Sequence, residues 1–287
     1  MENTFKPTIS LIGEDTLLKE SVEVSRLFIE ISTNRISYAI LNNNTQTYKA
    51  IESFTFADNT DFNDICNRLD SIYSISEILK NDYLSVNVLF NGYKSTLIPN
   101  VLFNKENPGS YLKFNYNIDN EEEVAYDHLT ITEATNIYTI NQLLSNKIKI
   151  LFPKAKIAHS YSSLIENLLY QFANIKASKL ILHVQQKYIQ IIHICDSKLV
   201  FFNTFSYNTK EDFIYYILFV MQQLHLNPET QELLVLGEIE KKTSLSEILF
   251  QYIKNPVFGE KSTKYKFDIV FDDIPPHHFY NLLNFHI

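Results

Sequence analysis

Glycine is scarce in this chain: five residues in 287, against a usual share of about 7%. Loops that cradle phosphate need glycine so that backbone N–H groups can approach the anion closely. With only Gly13, Gly92, Gly109, Gly237 and Gly259 available, every nucleotide-binding reading starts short of material. Cysteine is scarcer still. Cys66 and Cys195 stand far apart with no CxxC spacing, which excludes a disulfide framework and a zinc ribbon and leaves two reduced, buried thiols as the expectation. Positive charge is also in deficit, 25 Lys and Arg against 33 Asp and Glu for a net charge of −8, so no nucleic-acid partner is expected. Long apolar runs are missing. The longest, residues 213–221, is too short to cross a bilayer. Residues 1–6 carry the acidic Glu2 with no apolar stretch behind them, unlike a signal peptide. A cytoplasmic protein with no direct membrane insertion is the expectation.

What the chain does contain is apolar material for a core. Hydrophobic residues make up 45% and aromatics 14%, with 18 Tyr, 21 Phe and no Trp, which excludes wholesale disorder. That material is arranged as a repeat. Residues 26–41 read RLFIEISTNRISYAIL and residues 179–194 read KLILHVQQKYIQIIHI. Each is an apolar run, a polar break and a second alternating run. Leu27 falls on Leu180, Ile31 on Val184 and Ile36 on Ile189. Ile40 falls on Ile194 or its neighbour, so the spacing is about 153. A third strand follows in each copy, YKAIESFTF at 48–56 and LVFFNTFSY at 199–207. Strict alternation predicts half-buried antiparallel pairing.

A helix comes next in both copies. Residues 61–79 place Phe62, Ile65, Leu69, Ile72 and Ile75 three and four apart. Residues 209–224 open on a cap-like Thr209 with Glu211 and Asp212 in the first turn. A short apolar strand then closes each copy, SVNVLF at 85–90 and ELLVL at 232–236. Between the copies, residues 93–172 are punctuated by Pro99, Pro108 and Gly109, and the acidic run 121–123 reads as a solvated loop. A strand is expected at 157–159, helices at 162–172 and 245–253, and a strand at 266–271 before the break at Pro275 and Pro276. The fold class is α/β: two lobes of pattern β-β-β-α-β, with residues 1–155 as an N-terminal lobe carrying an insertion and residues 156–287 as a C-terminal lobe.

Two such copies in one chain resemble the actin-like ATPase superfamily, whose halves share the ribonuclease-H-like strand order. That superfamily includes actin, sugar kinases, Hsp70-type chaperones and bacterial cell-division and pilus-assembly proteins. More narrowly, EISTNRISYAIL and FNTFSYNTKEDFIYYILFVMQQLHL are similar to an uncharacterised family of Bacteroidetes proteins with an actin-like fold. The resemblance implies where ATP and Mg²⁺ belong. The first hairpin of the superfamily carries a carboxylate and a glycine turn; here Glu30 stands at the carboxylate position and Ser32 at the glycine. The second hairpin repeats the pair; here His183 and Gln185 replace both. The adenosine element is a glycine pair after the closing strand, of which Gly237 alone remains. Losing the second carboxylate removes a magnesium anchor, and losing the glycines blocks approach to phosphate.

Other constellations are weaker. His277, His278 and His286 could ligate a metal, but a flexible tail beside two prolines lacks the fixed geometry zinc needs. His183 and His193 sit on predicted strands and read as satisfied strand histidines. A two-metal nuclease would use Glu30 and Glu52 on neighbouring strands, with no third acid to join them. Gly259-Glu260-Lys261-Ser262 ends like a Walker loop without its first glycine. The expectation is therefore a non-catalytic, actin-like scaffolding or binding module without a cofactor or metal, using its aromatics to meet a protein partner or a second copy of itself. The alternatives are a divergent member that still binds ATP and Mg²⁺, or a pilus- or division-type assembly factor.

Overall fold

The computed structural model describes residues 6–56 and 61–285. It divides into two compact units: Met1–Leu164 with Ser262–Asp273 and Asn281–Ile287, and Ile165–Lys261 with Ile274–Tyr280. Where the sequence suggests one boundary after residue 155, the first unit runs on to Leu164 and two C-terminal segments return to it.

The first unit opens with β1 (Ile9–Ile12) and a short α1 (Lys19–Glu23), then the meander β2 (Ser25–Ile31), β3 (Arg35–Asn42) and β4 (Thr47–Thr55). Both faces of β2 are buried, so Leu27, Phe28, Ile29 and Ile31 run nearly continuously apolar, as strands covered on two sides do. The helix α2 (Phe62–Ile75) is capped by Asp61, whose carboxylate accepts the Asp64 N–H. It buries Ile65, Leu69 and Ile72. It stops at Ile75 rather than continuing to residue 79, because Ser76 turns extended and its hydroxyl accepts the Leu79 N–H at 3.2 Å. The strand β5 (Ser85–Phe90) then pairs parallel with β2.

Next come β6 (Ser95–Pro99), α3 (Gly109–Leu112), β7 (Glu122–Leu129), β8 (Ala134–Asn141) and α4 (Gln142–Leu151), followed by β9 (Lys156–His159) and α5 (Ser160–Gln171). The main sheet has the order β1-β4-β3-β2-β5-β9, and β6-β8-β7 form a separate small antiparallel sheet. The acidic run 121–123 is not a solvated loop. Glu122 opens β7 as a half-buried carboxylate, with Lys94 Nζ 2.8 Å from one oxygen and the Thr139 hydroxyl 3.0 Å from the other. Two donors offset the desolvation that exposure was expected to avoid.

The second unit repeats the plan with β10 (Lys179–Val184), β11 (Tyr188–Cys195), β12 (Lys198–Ser206), α6 (Lys210–Gln223), β13 (Glu232–Gly237), α7 (Ser244–Tyr252) and β14 (Asn255–Phe258). Its order, β12-β11-β10-β13-β14, matches β4-β3-β2-β5-β9 strand for strand and direction for direction. The helices after the two meanders are 14 residues each, and the closing strands six residues each. The register even slips at corresponding places, between Ile40 and Leu41 and between His193 and Ile194. These are two ribonuclease-H-like lobes.

The C-terminal return explains why the expected strand at 266–271 is short. Only β15 (Lys266–Phe267) pairs, parallel with β4. The carboxylate of Asp268 then takes Lys49 Nζ at 3.0 Å, and the chain folds into a 3₁₀ turn at Ile269–Asp273. After α8 (Tyr280–Leu283) the backbone closes on the first unit, where the Tyr48 and Tyr265 hydroxyls donate to the Leu282 and Phe285 carbonyls.

Candidate functional site

The first hairpin tip is a tight three-residue connection, residues 32–34. Ser32 N–H donates to the Arg35 carbonyl at 2.9 Å, the Ser32 hydroxyl donates to Asn34 Oδ1 at 2.8 Å, and the Asn34 carbonyl receives Phe56 N–H at 2.7 Å. No residue from 32 to 34 has a positive φ. An anion-cradling nest alternates right- and left-handed residues so that successive N–H groups converge, and this tip lacks the left-handed member. Glu30 is buried, 4% exposed, with Arg35 of the adjacent strand 3.5 Å from its carboxylate. Glu30 and Glu52 do not lie on neighbouring strands. Glu30 opposes Ser37 and then Ser53, whereas Glu52 opposes Tyr38 across β3, so the two carboxylates project to opposite faces of the sheet. Glu52 accepts the hydroxyls of Tyr38 and Ser10.

The second tip is built alike. Gln185 N–H donates to the Tyr188 carbonyl at 2.9 Å, and the Lys187 carbonyl receives Tyr207 N–H at 3.0 Å. Again no residue from 185 to 187 has a positive φ. Where the first lobe has Glu30 facing Ser37, this lobe has His183 facing Gln190. His183 Nδ1 lies 2.7 Å from Gln190 Oε1, and Gln190 Nε2 donates to Gln185 Oε1 at 3.4 Å. All three side chains are buried, so this lobe holds an amide–imidazole chain at the place that Glu30 takes in the first lobe. The Tyr207 hydroxyl donates to the Gln185 carbonyl at 2.7 Å, and burial pushes its phenol up to about 12.

Gly237 has φ +87°, and a Cβ there would lie 2.2 Å from the Val184 carbonyl oxygen. The glycine lets the chain leave β13 while touching β10; Glu238 N–H then bonds that same carbonyl at 2.7 Å. The Gly237 N–H donates to the His277 carbonyl at 2.9 Å. His277 Nε2 lies 2.7 Å from the Ile239 carbonyl, and its ring packs on Phe258 with centroids 4.7 Å apart. His277 is therefore no part of a loose tail. It is 4% exposed, and burial holds its imidazole below the usual range. Within this unit the segment Ile274–Tyr280 sits on the residues just after β13.

The family model described as "Protein of unknown function (DUF3822)" matches residues 14–255. The chain belongs to that family. No curated protein matches it significantly. Among solved structures it resembles the crystal structure of a Bacteroides thetaiotaomicron protein with an actin-like ATPase fold and unknown function. That match is 23% identical with a TM-score of 0.76, and it covers 85% of this chain and 93% of that one. It also resembles a chain of a PilM-PilN type IV pilus biogenesis complex, 10% identical with a TM-score of 0.60, covering 90% and 96% respectively. The fold of this family member is the actin-like ATPase fold.

One polar centre in this DUF3822 chain has no clear signal in the sequence. Asp127 on β7 reaches the start of α5, where one oxygen accepts the His159 N–H at 2.8 Å and the Ser162 hydroxyl at 2.7 Å. Its other oxygen accepts the Tyr138 hydroxyl at 3.2 Å, and Asn136 Nδ2 donates to the Ser162 oxygen at 2.9 Å. A carboxylate thus supplies acceptors at a helix N-terminus from a separate sheet. His159 is wholly buried, and desolvation pushes its imidazole down to about 3, outweighing the opposing effect of the Gly92 backbone. His193 is likewise lowered by burial, its Nε2 2.8 Å from the Ser178 hydroxyl. His286 lies outside the described residues. Cys66 is buried, as expected, and Cys195 only half-buried. Among the described residues no group of three or more His, Cys, Asp or Glu is placed to hold a metal ion, and no helix is long and apolar enough to cross a membrane.

Proposed function

We propose that the chain is a non-catalytic, actin-like protein that serves as a binding or scaffolding module. One observation carries the reading: the remnant of the adenosine element, Gly237, has its N–H bonded to His277 of the chain's own C-terminal segment. Three further features support it. Neither hairpin tip offers a left-handed residue for an amide nest. Arg35 stands beside Glu30, which therefore has a counter-charge without Mg²⁺. His183 and Gln190 occupy the row where a second carboxylate would anchor the metal. These residues do not fit Mg·ATP.

The test is calorimetric titration of the full chain with Mg·ATP and Mg·ADP, alongside thermal unfolding. A ligand present at 100 times its Kd adds about 2.7 kcal/mol of stability, a shift that is easy to see. The expected result is no saturable heat and no shift in midpoint. Micromolar binding that is lost on Glu30→Gln would overturn the reading in favour of a divergent nucleotide-binding protein. A second reading, an assembly factor of pilus type, is favoured by the likeness to a chain of a PilM-PilN complex. It predicts co-sedimentation with a membrane-bound partner, and a chain that stays in the supernatant beside such membranes counts against it.

A further inference from the structure

The first lobe holds one reactive dipeptide that neither the fold nor the proposed function uses. Asparagine is followed directly by glycine at Asn91 and Gly92, and nowhere else in the chain. A glycine there puts no side chain between the asparagine amide and the next backbone nitrogen, and it leaves the backbone free to bring the two together. Both residues are half-buried in irregular backbone just past the end of β5, and the following Tyr93 is 44% exposed. The Asn91 N–H donates to the Ile31 carbonyl at 2.9 Å. Among the described residues the Asn91 side-chain amide makes no hydrogen bond, and the Gly92 N–H donates to no group. Other loop asparagines are tied down: Asn42, Asn104 and Asn227 each accept the N–H two residues further on. At Asn91 the amide carbon and the nitrogen that could attack it are both uncommitted. Packing meanwhile fixes the glycine. A Cβ on Gly92 would lie 2.6 Å from Phe90 Cε1, and that ring is buried with its edge on His159, centroids 6.1 Å apart. The fold thus demands the residue that makes its neighbour labile.

We propose that Asn91 is a site of spontaneous deamidation in the folded chain. The Gly92 backbone nitrogen attacks Asn91 Cγ, with which it already shares a short stretch of chain, so the step is intramolecular and favoured by proximity. The new C–N bond closes a succinimide ring and the old bond to the side-chain nitrogen breaks. The proton lost by Gly92 passes by way of solvent to that nitrogen, which leaves as ammonia. Water then opens the ring. Attack at the side-chain carbonyl gives aspartate, and attack at the main-chain carbonyl gives isoaspartate, in which the chain continues through the side-chain carbon. Each route consumes one water and releases one ammonia, with no other reactant. Either product sets a new negative charge at the C-terminal end of β5, beside the first hairpin tip, since Phe90 pairs with Ile31. The isoaspartyl product also lengthens the main chain by one carbon between Asn91 Cα and Gly92. That carbon pushes Gly92 off the Phe90 ring or Asn91 off the Ile31 carbonyl, and so disturbs the connection from β5 to β6. The site is independent of the nucleotide reading, and either can fail without the other.

The experiment is to age the full folded chain at physiological temperature, at neutral and at mildly alkaline pH, and to map its peptides by mass. Methyl transfer from S-adenosylmethionine by an isoaspartyl methyltransferase reports the isoaspartate formed. The expected result is an amide-to-acid mass change in the peptide carrying Asn91 ahead of every other asparagine, with methyl acceptance rising in step. It should be faster at the higher pH, because the attacking nitrogen must lose its proton. Asn91→Gln, whose longer side chain closes a ring less readily, should cut conversion of that peptide at least about tenfold. Its unfolding midpoint should match the fresh wild type, since the Asn91 side chain makes no bond to lose. The aged isoaspartyl chain should unfold at a lower midpoint than Asn91→Asp, which carries the same charge without the extra carbon. An Asn91 that stays intact while other asparagines convert overturns the inference. So does conversion that occurs only in urea, where the fold is gone.

Discussion

His159 offers a clean test of the energetics inside the first lobe. In the folded chain it is wholly buried and its imidazole titrates at about 3, against 6.5 when solvated. Between those values the unfolded chain binds a proton that the folded chain refuses, so stability rises with pH across the window and is lost as pH falls below 6.5. The magnitude follows from the two values. Between pH 7 and pH 5 the unfolded His159 gains about three quarters of a proton and the folded one almost none, which costs about 2 kcal/mol of stability. Asp127 contributes with the opposite sign, since burial raises its carboxyl above the ordinary range despite the donors around it and the folded chain then holds the proton more tightly; His193 and His277 add slopes of the same sign as His159. The measurement is therefore a difference of differences: urea unfolding of the wild type and of His159→Asn at pH 5 and pH 7. Asparagine retains an acceptor for the Tyr161 N–H, which His159 Nδ1 now receives at 3.1 Å. Whatever the substitution costs at either pH, the variant should lose about 2 kcal/mol less than the wild type on acidification. Equal losses in both proteins would refute the assignment of a buried, neutral His159.

Two further substitutions probe the backbone and the Asp127 centre. Gly237→Ala sets a Cβ against the Val184 carbonyl at φ +87° and should destabilise by more than the roughly 1–2 kcal/mol charged for a left-handed residue alone. Gly109→Ala meets only ordinary contacts beyond 3.4 Å and should be neutral or stabilising by up to about 1 kcal/mol; urea midpoints separate the two. Asp127→Ala removes the acceptor of the His159 N–H and the Ser162 hydroxyl and should cost about 1–3 kcal/mol per buried donor left unpaired. Asp127→Asn, which keeps one oxygen, should cost clearly less by the same assay.

The duplicated meander was legible in the sequence because alternation is a signal that burial imposes directly. The spacing of 153 read from Leu27 and Leu180 is also the spacing between the congruent tips and between the slipped registers. The carboxylate, glycine and histidine positions of both tips could be named for the same reason, since they are fixed by register. The small sheet was not legible. Its central strand reads ATNIYTIN, and Thr135, Asn136, Thr139 and Asn141 are all buried. Their hydrogen bonds run to His128, Ser162, Glu122 and the α4 N-terminus. A strand stabilised by distant polar partners looks like a loop to any hydropathy pattern. The same holds for His277. Two prolines marked its segment as a break, and only contacts with Gly237, Ile239 and Phe258, far away in sequence, make it structural.

Comparison of the two tips also shows why an actin-like fold says little about chemistry here. Glu30 and His183 occupy the same place in their lobes, each beside the parallel closing strand and opposite a polar residue of the next strand. One is a carboxylate with an arginine 3.5 Å away, the other an imidazole bonded to an amide. Both are buried, and both sheets keep their full register past them. What the sheet requires at that position is a polar group whose partner comes from the neighbouring strand, because an unpaired one would carry the whole cost of desolvation. It does not require a particular charge. A lobe can therefore carry either a carboxylate beside an arginine or an imidazole bonded to an amide and keep its fold, provided the partner changes with it. Gly237 persists for a different reason. The close approach of β13 to β10 leaves no room for a side chain, so its retention is a demand of packing whether or not a nucleotide ever reaches it.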